Sequence, residues 1–482
     1  MKTLFAQDLN VINIGLQGFA DNVAAAGGAV TQLAWAPPAG ADAELGRTLA
    51  SLVANPAVDE ANTQAYARYL AAQPRLADLV LAREAIAGLG DAQRRILHSG
   101  PPIDWADMCG PQRGAITGAI LYEGWADSLE SAERLAGSGS IALDPCHEHD
   151  AVGPMAGIIS PSMPVWVVEN AEHGNRAYCN LNEGLGKVLR FGANSPEVLD
   201  KLRWLGTEFF AVMQPAVRRL EDADLKPLMA QALHMGDELH NRNSAASALL
   251  FKRLTLALLG SDADRCAIER SLRFVAGNDH FFLNISMAAN KSMSDAAHGV
   301  PGSSMVTVMS RNGVNFGIRL SGTGDQWFQA PANPVDGLYF PGYSVEDAAA
   351  DLGDSAITET NGLGGFAMAA SPAIVQFVGG TPADATANSR RMLSITLGAN
   401  PAFTLPALNF GGTPAGIDAV LVADSGVLPI INTGIAHKEA GIGQIGAGIT
   451  TAPMPCFTEA IAALAATIGG EPSIPGQRGG AS

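Results

Sequence analysis

The chain is short of cysteine, of charge and of long apolar runs. Its five cysteines, Cys109, Cys146, Cys179, Cys266 and Cys456, are scattered, odd in number and without a CxxC. This argues against a disulfide framework or a zinc ribbon, and suits a reducing cytoplasm. Charged residues make up only 16% of the chain, with 30 Lys and Arg against 47 Asp and Glu. The net charge of −17 speaks against nucleic acid as a partner, since phosphate-backbone binding needs a basic face. A small anionic substrate in a local cationic pocket remains compatible with it. No charge-free apolar run is long enough for a bilayer span, so no membrane partner is expected. The start, MKTLFAQDLNVINIG, carries no cleavable leader pattern.

Apolar residues, at 47%, and 54 glycines are what the chain has in quantity. Together with 482 residues they imply two or three domains with sizeable cores and many tight turns. The fold class expected is α/β: an N-terminal Rossmann-like βαβ domain and a larger mixed α/β domain with a helical segment. Residues 10–36 read as strand, helix, strand, with Gly15 and Gly18 at the first turn. The full G-x-G-x-x-G is absent, so a dinucleotide site is weakly signalled. Residues 40–95 read as mainly helical, including ANTQAYARYLAAQPRLADLVLAREAI. The resulting division is 1–95 for the first domain, then 96–195 and 299–468 for the main domain. Within it, 196–298 is an inserted helical segment. GSIALD and MPVWVVEN read as strands, and MVTVMSRNGVNFGIRLSG as a hairpin about an Asn312-Gly313 type I′ turn. The tail, 469–482, is low-complexity and expected to be disordered.

Polar residues concentrate in a few stretches. HMGDELHNRN, residues 234–243, lies between two apolar helical runs. As a helix it places His234, Glu238 and Arg242 on one face, with Asp237, His240 and Asn241 beside them. The preferred reading is a buried helix lining a polar cavity, with Arg242 buried or half buried and paired with Glu238. A structural ion-pair network ranks second. A metal helix ranks last, because the Asp237-x-x-His240 spacing has no counterpart in GNDHFFLN. LDPCHEHD sets His147 and His149 two apart, on one face if extended, without further zinc ligands in view. VENAEHGNRAYCNLNEGLGKVLRFGA interleaves Arg176, Lys187 and Arg190 with glycine and asparagine, which suits anion contacts. ETNGLGGFAMAASPA, with Glu359 and Asn361 just before Gly362, Gly364 and Gly365, resembles a strand-turn-helix anion cradle. INTGIAHKEAGIGQIGAG places His437 among glycines in the same manner.

Six of these runs carry a resemblance to a known family: GPPIDWADMCGPQRGAITGAILYEGWA, HEHDAVGPMAGIISPSMPVWVVEN, NLNEGLGKVLRFGA, HMGDELHNRN, GNDHFFLN and ETNGLGGFAMAASPAIVQFVGG. They resemble the YlbE-like family, associated with the AllG-type subunit of oxamate carbamoyltransferase. What the resemblance implies is ureide breakdown, in which phosphate cleaves oxalurate to oxamate and carbamoyl phosphate, carried out with partner subunits. Alternatives are a non-catalytic assembly subunit, or a related enzyme acting on another ureide or amide. The resemblance supplies no catalytic residues. Carbamoyl transfer itself asks for two anions held close and for cationic or N–H donors at the carbamoyl oxygen. That chemistry nominates His240, Glu238 and Arg242 as catalytic. It nominates Arg176, Lys187, Arg190, His437, Asn361 and Gly364 as substrate or phosphate contacts. No cofactor and no metal are expected.

Overall fold

The computed structural model describes residues 10–33, 38–90 and 92–469. The tail expected to be disordered lies outside the described residues from 470 onward.

The chain is an α/β protein. Its first unit is the expected βαβ: β1 (Asn10–Ile14), α1 (Gln17–Ala25) and β2 (Ala29–Leu33), with the strands parallel and Asn10 opposite Ala29. Gly15, at φ +117°, makes the turn into α1, a backbone geometry open to glycine. Among the described residues this sheet has two strands. The Rossmann-like continuation is not formed, because the next strand joins a different sheet.

α2 (Ala43–Val53) and α3 (Pro56–Ala71) follow. Asn55 caps α3 by accepting the Ala57 N–H at 3.0 Å, and Pro56 fills the first helical position. Beyond them the helical expectation for PRLADLVL fails. Pro74, which lacks an N–H and fixes φ, ends the helical run, and Pro74–Leu81 is a strand, β3. β4 (Arg95–His98), α4 (Gly110–Tyr122), α5 (Leu129–Gly137), β5 (Ala142–Pro145), β6 (Ala151–Val152), β7 (Pro164–Asn170) and β8 (Arg176–Asn180) come next. β3 pairs antiparallel with β7, in a four-stranded sheet of order β3-β7-β8-β6. Residues 56–81, placed by the sequence before a boundary near 95, therefore pack in the main body.

Residues 196–297 are helical: α6 (Pro196–Trp204), α7 (Phe210–Arg218), α8 (Leu225–His234), α9 (Ser244–Leu259), α10 (Arg265–Ala276) and α11 (Phe281–Ala297). A π turn at Leu205–Phe209 links α6 to α7. α11 is buried almost all round and lies on the β3-β7-β8 sheet, where Phe281 meets Trp166 edge-on at 5.8 Å.

The last third is β-rich. β9 (Val306–Asn312) and β10 (Asn315–Leu320) form the expected hairpin, flanked by β11 (Phe328–Pro331) and β13 (Leu352–Gly353). Its turn is not type I′, because Gly313 has positive φ and Asn312 does not. Asn312 instead accepts the Val314 and Asn315 N–H groups on its side-chain oxygen. β12 (Asp336–Tyr339), β16 (Ile430–Ala436) and β17 (Gln444–Thr451) form a three-stranded sheet. α12 (Ile357–Thr360) is one turn long, and the chain ends on α15 (Met454–Gly469) after α13 (Pro382–Met392), β14 (Thr396–Leu405), β15 (Gly411–Ile417) and α14 (Ala419–Ser425).

Candidate functional site

HMGDELHNRN is not a helix. α8 stops at His234, α9 starts at Ser244, and the residues between form a buried loop. Gly236 at φ +99° leaves the helix, and Leu239 takes φ +69° with its side chain fully buried. The polar side chains close this loop. Asp237 accepts the Ala246 N–H at 2.8 Å, on the first turn of α9. Glu238 accepts the backbone N–H of His240 at 2.8 Å and of Arg242 at 2.5 Å. The expected Glu238–Arg242 side-chain pair is therefore absent, since the helical spacing that would have built it does not exist. Arg242 is half buried, as expected, with a side chain 37% exposed and Nε 3.6 Å from Asp237.

The loop delivers His240 to a carboxylate that the nominations omitted. His240 Nδ1 lies 2.8 Å and 3.0 Å from the two oxygens of Glu359, on α12. Glu359 is fully buried and accepts further from the Gly365 N–H at 2.9 Å, the Thr358 hydroxyl at 2.8 Å and the Asn432 N–H at 3.2 Å. The glycine run after α12 does form an anion cradle, but the anion is Glu359 itself. Gly364, at φ +56°, has no room for a methyl group, since a Cβ would lie 2.1 Å from Glu359 Oε1. Its N–H donates to the Glu238 carbonyl at 2.8 Å and so pins the two segments together.

Burial drives the two glutamates apart. It pushes the Glu238 carboxyl well up, and the nearby Glu359 charge adds to this against the two backbone donors. Burial also acts on Glu359, but His240 and the hydrogen bonds outweigh it and hold that carboxyl below its usual range. An ionised Glu359 takes the Nδ1–H of His240, which leaves Nε2 as the proton acceptor of the ring. A buried His fixed by a carboxylate in this way is a general-base arrangement.

The other nominated residues divide. Arg190 is buried near this site: its Nη2 donates to Gly184 O at 2.7 Å, and its Nε has no partner. His280 is pushed down to about 4, first by burial and then by the positive charge of Arg190. Arg176 and Lys187 are on the surface, and Arg176 pairs with Glu169 at 3.2 Å. His437 is buried elsewhere, its Nδ1 accepting the Glu439 N–H at 2.9 Å, with Tyr343 at its edge. Asn361 is an internal brace whose Nδ2 donates to Ser294 Oγ at 2.8 Å and Ile357 O at 2.7 Å. His147 and His149 sit on a 3-10 turn, not a strand, and diverge: His149 bonds Asp144 at 2.9 Å, while His147 is buried.

Two polar regions were missed. In the first, the fully buried Arg311 grips Asp351 with two bonds, of 2.7 and 3.0 Å, and donates to Gly353 O at 2.7 Å. Asp354 beside it accepts the Gly100 and Gly153 N–H groups at 2.8 and 2.9 Å, and the Ser310 hydroxyl. The second is a cavity of about 520 Å³ lined by His147, Glu148, Asp150, Asn175, Lys291, Asp295, His298, Arg319 and Asp325. A lone Lys in the small-residue run ISMAANKSMSDAA was the signal for it.

The fold and site thus define an α/β protein that buries an acid–base pair and several cationic side chains in its interior. A family profile described as oxamate carbamoyltransferase subunit AllG matches residues 141–355. The Escherichia coli (strain K12) protein named oxamate carbamoyltransferase subunit AllG is 47% identical over 414 residues, covering 86% of this chain and 99% of that protein. YahG of the same strain, described as uncharacterized, is 46% identical over 463 residues, covering 95% of this chain and 98% of YahG. The crystal structure of a conserved protein of unknown function from Enterococcus faecalis V583 matches with a TM-score of 0.84 at 49% identity, covering 85% of this chain and 98% of the other. The chain belongs to the AllG family. Among the described residues no helix is long and apolar enough to cross a membrane.

Proposed function

We propose that this chain is one subunit of a carbamoyltransferase that converts oxalurate and phosphate to oxamate and carbamoyl phosphate, working with partner subunits. The likeness to a named oxamate carbamoyltransferase subunit across 99% of that protein's length supports the reaction class. The geometric observation that carries it is His240, whose Nδ1 is fixed on Glu359 while Nε2 is left for proton transfer. A phosphate oxygen attacks the carbamoyl carbon of oxalurate, and the bond from that carbon to the oxamate nitrogen breaks. The departing nitrogen needs the proton that the phosphate carries. His240 Nε2 takes it from phosphate and returns it to nitrogen, so no net proton is consumed. Arg190 and Arg242 are the nearby cations for the two anions, and the ionised Glu359 stabilises the imidazolium formed in between.

The test is His240→Gln in the assembled complex, with carbamoyl phosphate formation as the readout. The rate should fall about 10²–10⁴-fold while the melting curve stays close to the parent. A parental rate in this variant would make His240 structural. Full-rate turnover by the chain alone would end the subunit reading. The alternative outcome is transfer to or from a different ureide or amide. Turnover of another ureide with oxalurate inert would select it.

A further inference from the structure

Asn432 is tied to the same carboxylate as His240, and half of its side chain is unspent. It lies on β16, at the edge of the three-stranded sheet, and its backbone N–H donates to Glu359 Oε1 at 3.2 Å. That oxygen is the one His240 Nδ1 meets at 2.8 Å. The Asn432 side chain is wholly buried. Its Oδ1 accepts a hydrogen bond from the side-chain amide of Asn241, the residue after His240. Its Nδ2 has no partner among the described residues.

The bond from Asn241 sets which end of the amide is held, and the backbone bond to Glu359 fixes the strand beside the imidazole. A buried N–H left unpaired is costly unless something polar meets it. Two other donors of this region are also without partners, Arg242 Nε and Arg190 Nε, but both belong to cations. A cation holds an anionic substrate before the reaction as firmly as during it, which lowers KM and leaves kcat alone. A neutral amide N–H behaves differently. It gains most when charge develops on the atom it faces, as at a carbonyl oxygen during acyl transfer.

We infer that Asn432 is a catalytic residue whose Nδ2 donates to the carbamoyl oxygen as that oxygen becomes negative. The inference rests on the proposed carbamoyltransferase function and supplies a donor that His240 and the arginines do not provide. As the phosphate oxygen bonds to the carbamoyl carbon, the π pair of the C=O bond moves onto its oxygen, where the Nδ2–H stabilises it. The pair returns as the carbon–nitrogen bond breaks, and Asn432 keeps its proton throughout. Glu359 then serves both halves of the site: one oxygen orients the base through Nδ1 and the donor through the Asn432 backbone.

Steady-state kinetics of the assembled complex test it in two variants. Asn432→Leu keeps the branched shape and the backbone N–H but removes the amide. Asn241→Ala leaves the amide and removes what orients it. Asn432→Leu should lower kcat about 10²–10³-fold. KM for either substrate should change less than about threefold. Asn241→Ala should lower kcat about tenfold, through misplacement of the donor. The acid limb of the kcat profile should stay in place in both, because His240 and Glu359 keep their contact. A parental kcat in Asn432→Leu overturns the inference. A loss carried wholly by KM, or a shifted limb, does so too, since the side chain would then only bind substrate or brace Glu359. Should Asn432→Leu not fold, Asn241→Ala decides, and a parental kcat there overturns the inference. If the complex turns over another ureide with oxalurate inert, the function fails. The donor then stands if Asn432→Leu slows that reaction by the same factor, and falls if it does not.

Discussion

Two buried polar regions of this protein lie on opposite ends of one hairpin, and they differ in how completely they are satisfied. At the turn end of β9, Arg311 and Asp351 are wholly buried, and two bonds join them directly. At the far end of β10, Arg319 and the neighbouring Lys291 and His147 are nearly as buried, yet several of their polar atoms and those of their neighbours have no partner. The difference separates two uses of buried charge. A closed network fixes the arrangement of segments, here joining the hairpin to β13 and to Thr433 on β16. An open one leaves hydrogen-bonding capacity for solvent in the cavity to fill.

Breaking the closed region should have the largest effect. Arg311→Met leaves Asp351 buried and unpaired, and should lower stability by about 3–5 kcal/mol in urea unfolding. Adding Asp351→Leu should recover most of that loss, because an apolar pair of similar volume replaces the ions. A loss below 1 kcal/mol in the single variant would show the region is not closed.

An intermediate effect should come from pH. Burial raises the Asp354 carboxyl from 3.8 to about 6, against the pull of the Ser310 hydroxyl and the Gly100 and Gly153 N–H groups. A raised folded value means the native state holds its proton more tightly than the unfolded chain does. The contribution is complete below about pH 3.8 and is lost as pH rises through about 6, with a span of about 3 kcal/mol. Asp354→Asn removes this titration. The difference in unfolding free energy between parent and variant should therefore change across pH 4–6 and be flat above it. A constant difference would refute the raised value.

The smallest effect should come from the open region. Lys291→Met removes a cation whose partner, Asp295, is 19% exposed at its side chain and has its carboxyl pushed up by burial. Asp295 can take up a proton or water in compensation. The stability loss should be about 1–2 kcal/mol, well below that of Arg311→Met. An equal loss in the two variants would erase the distinction between the regions.

The sequence disclosed elements better than it disclosed partners. The βαβ unit, the strands GSIALD and MPVWVVEN, the helical run from 196 and the hairpin at Asn312-Gly313 all followed from periodicity and turn residues. PRLADLVL was misread because a short apolar run after helix-forming residues has no clear period, and only Pro74 marked the change. HMGDELHNRN was recognised as polar and buried, but its helical geometry was inferred from its flanks, and Gly236 was the signal against it. His240 was therefore singled out within its own segment, while its contact with Glu359 was not foreseen. Glu359 is 119 residues away, and no local spacing links the two. Arg311 and Asp354 were invisible for the same reason: each is defined by neighbours brought from distant segments.

α11 has a consequence for the order in which the protein is made. Its residue Ser292 accepts hydrogen bonds from Asn170 and Asn175, 122 and 117 residues earlier in the chain. The sheet of β3, β7 and β8 is complete once residue 180 has been synthesised, but the helix that covers it ends only at 297. At ~5–20 residues per second, the apolar face around Trp166 stays uncovered on the ribosome for roughly ten seconds. During that interval the nascent chain depends on whatever else in the cell shields an exposed sheet.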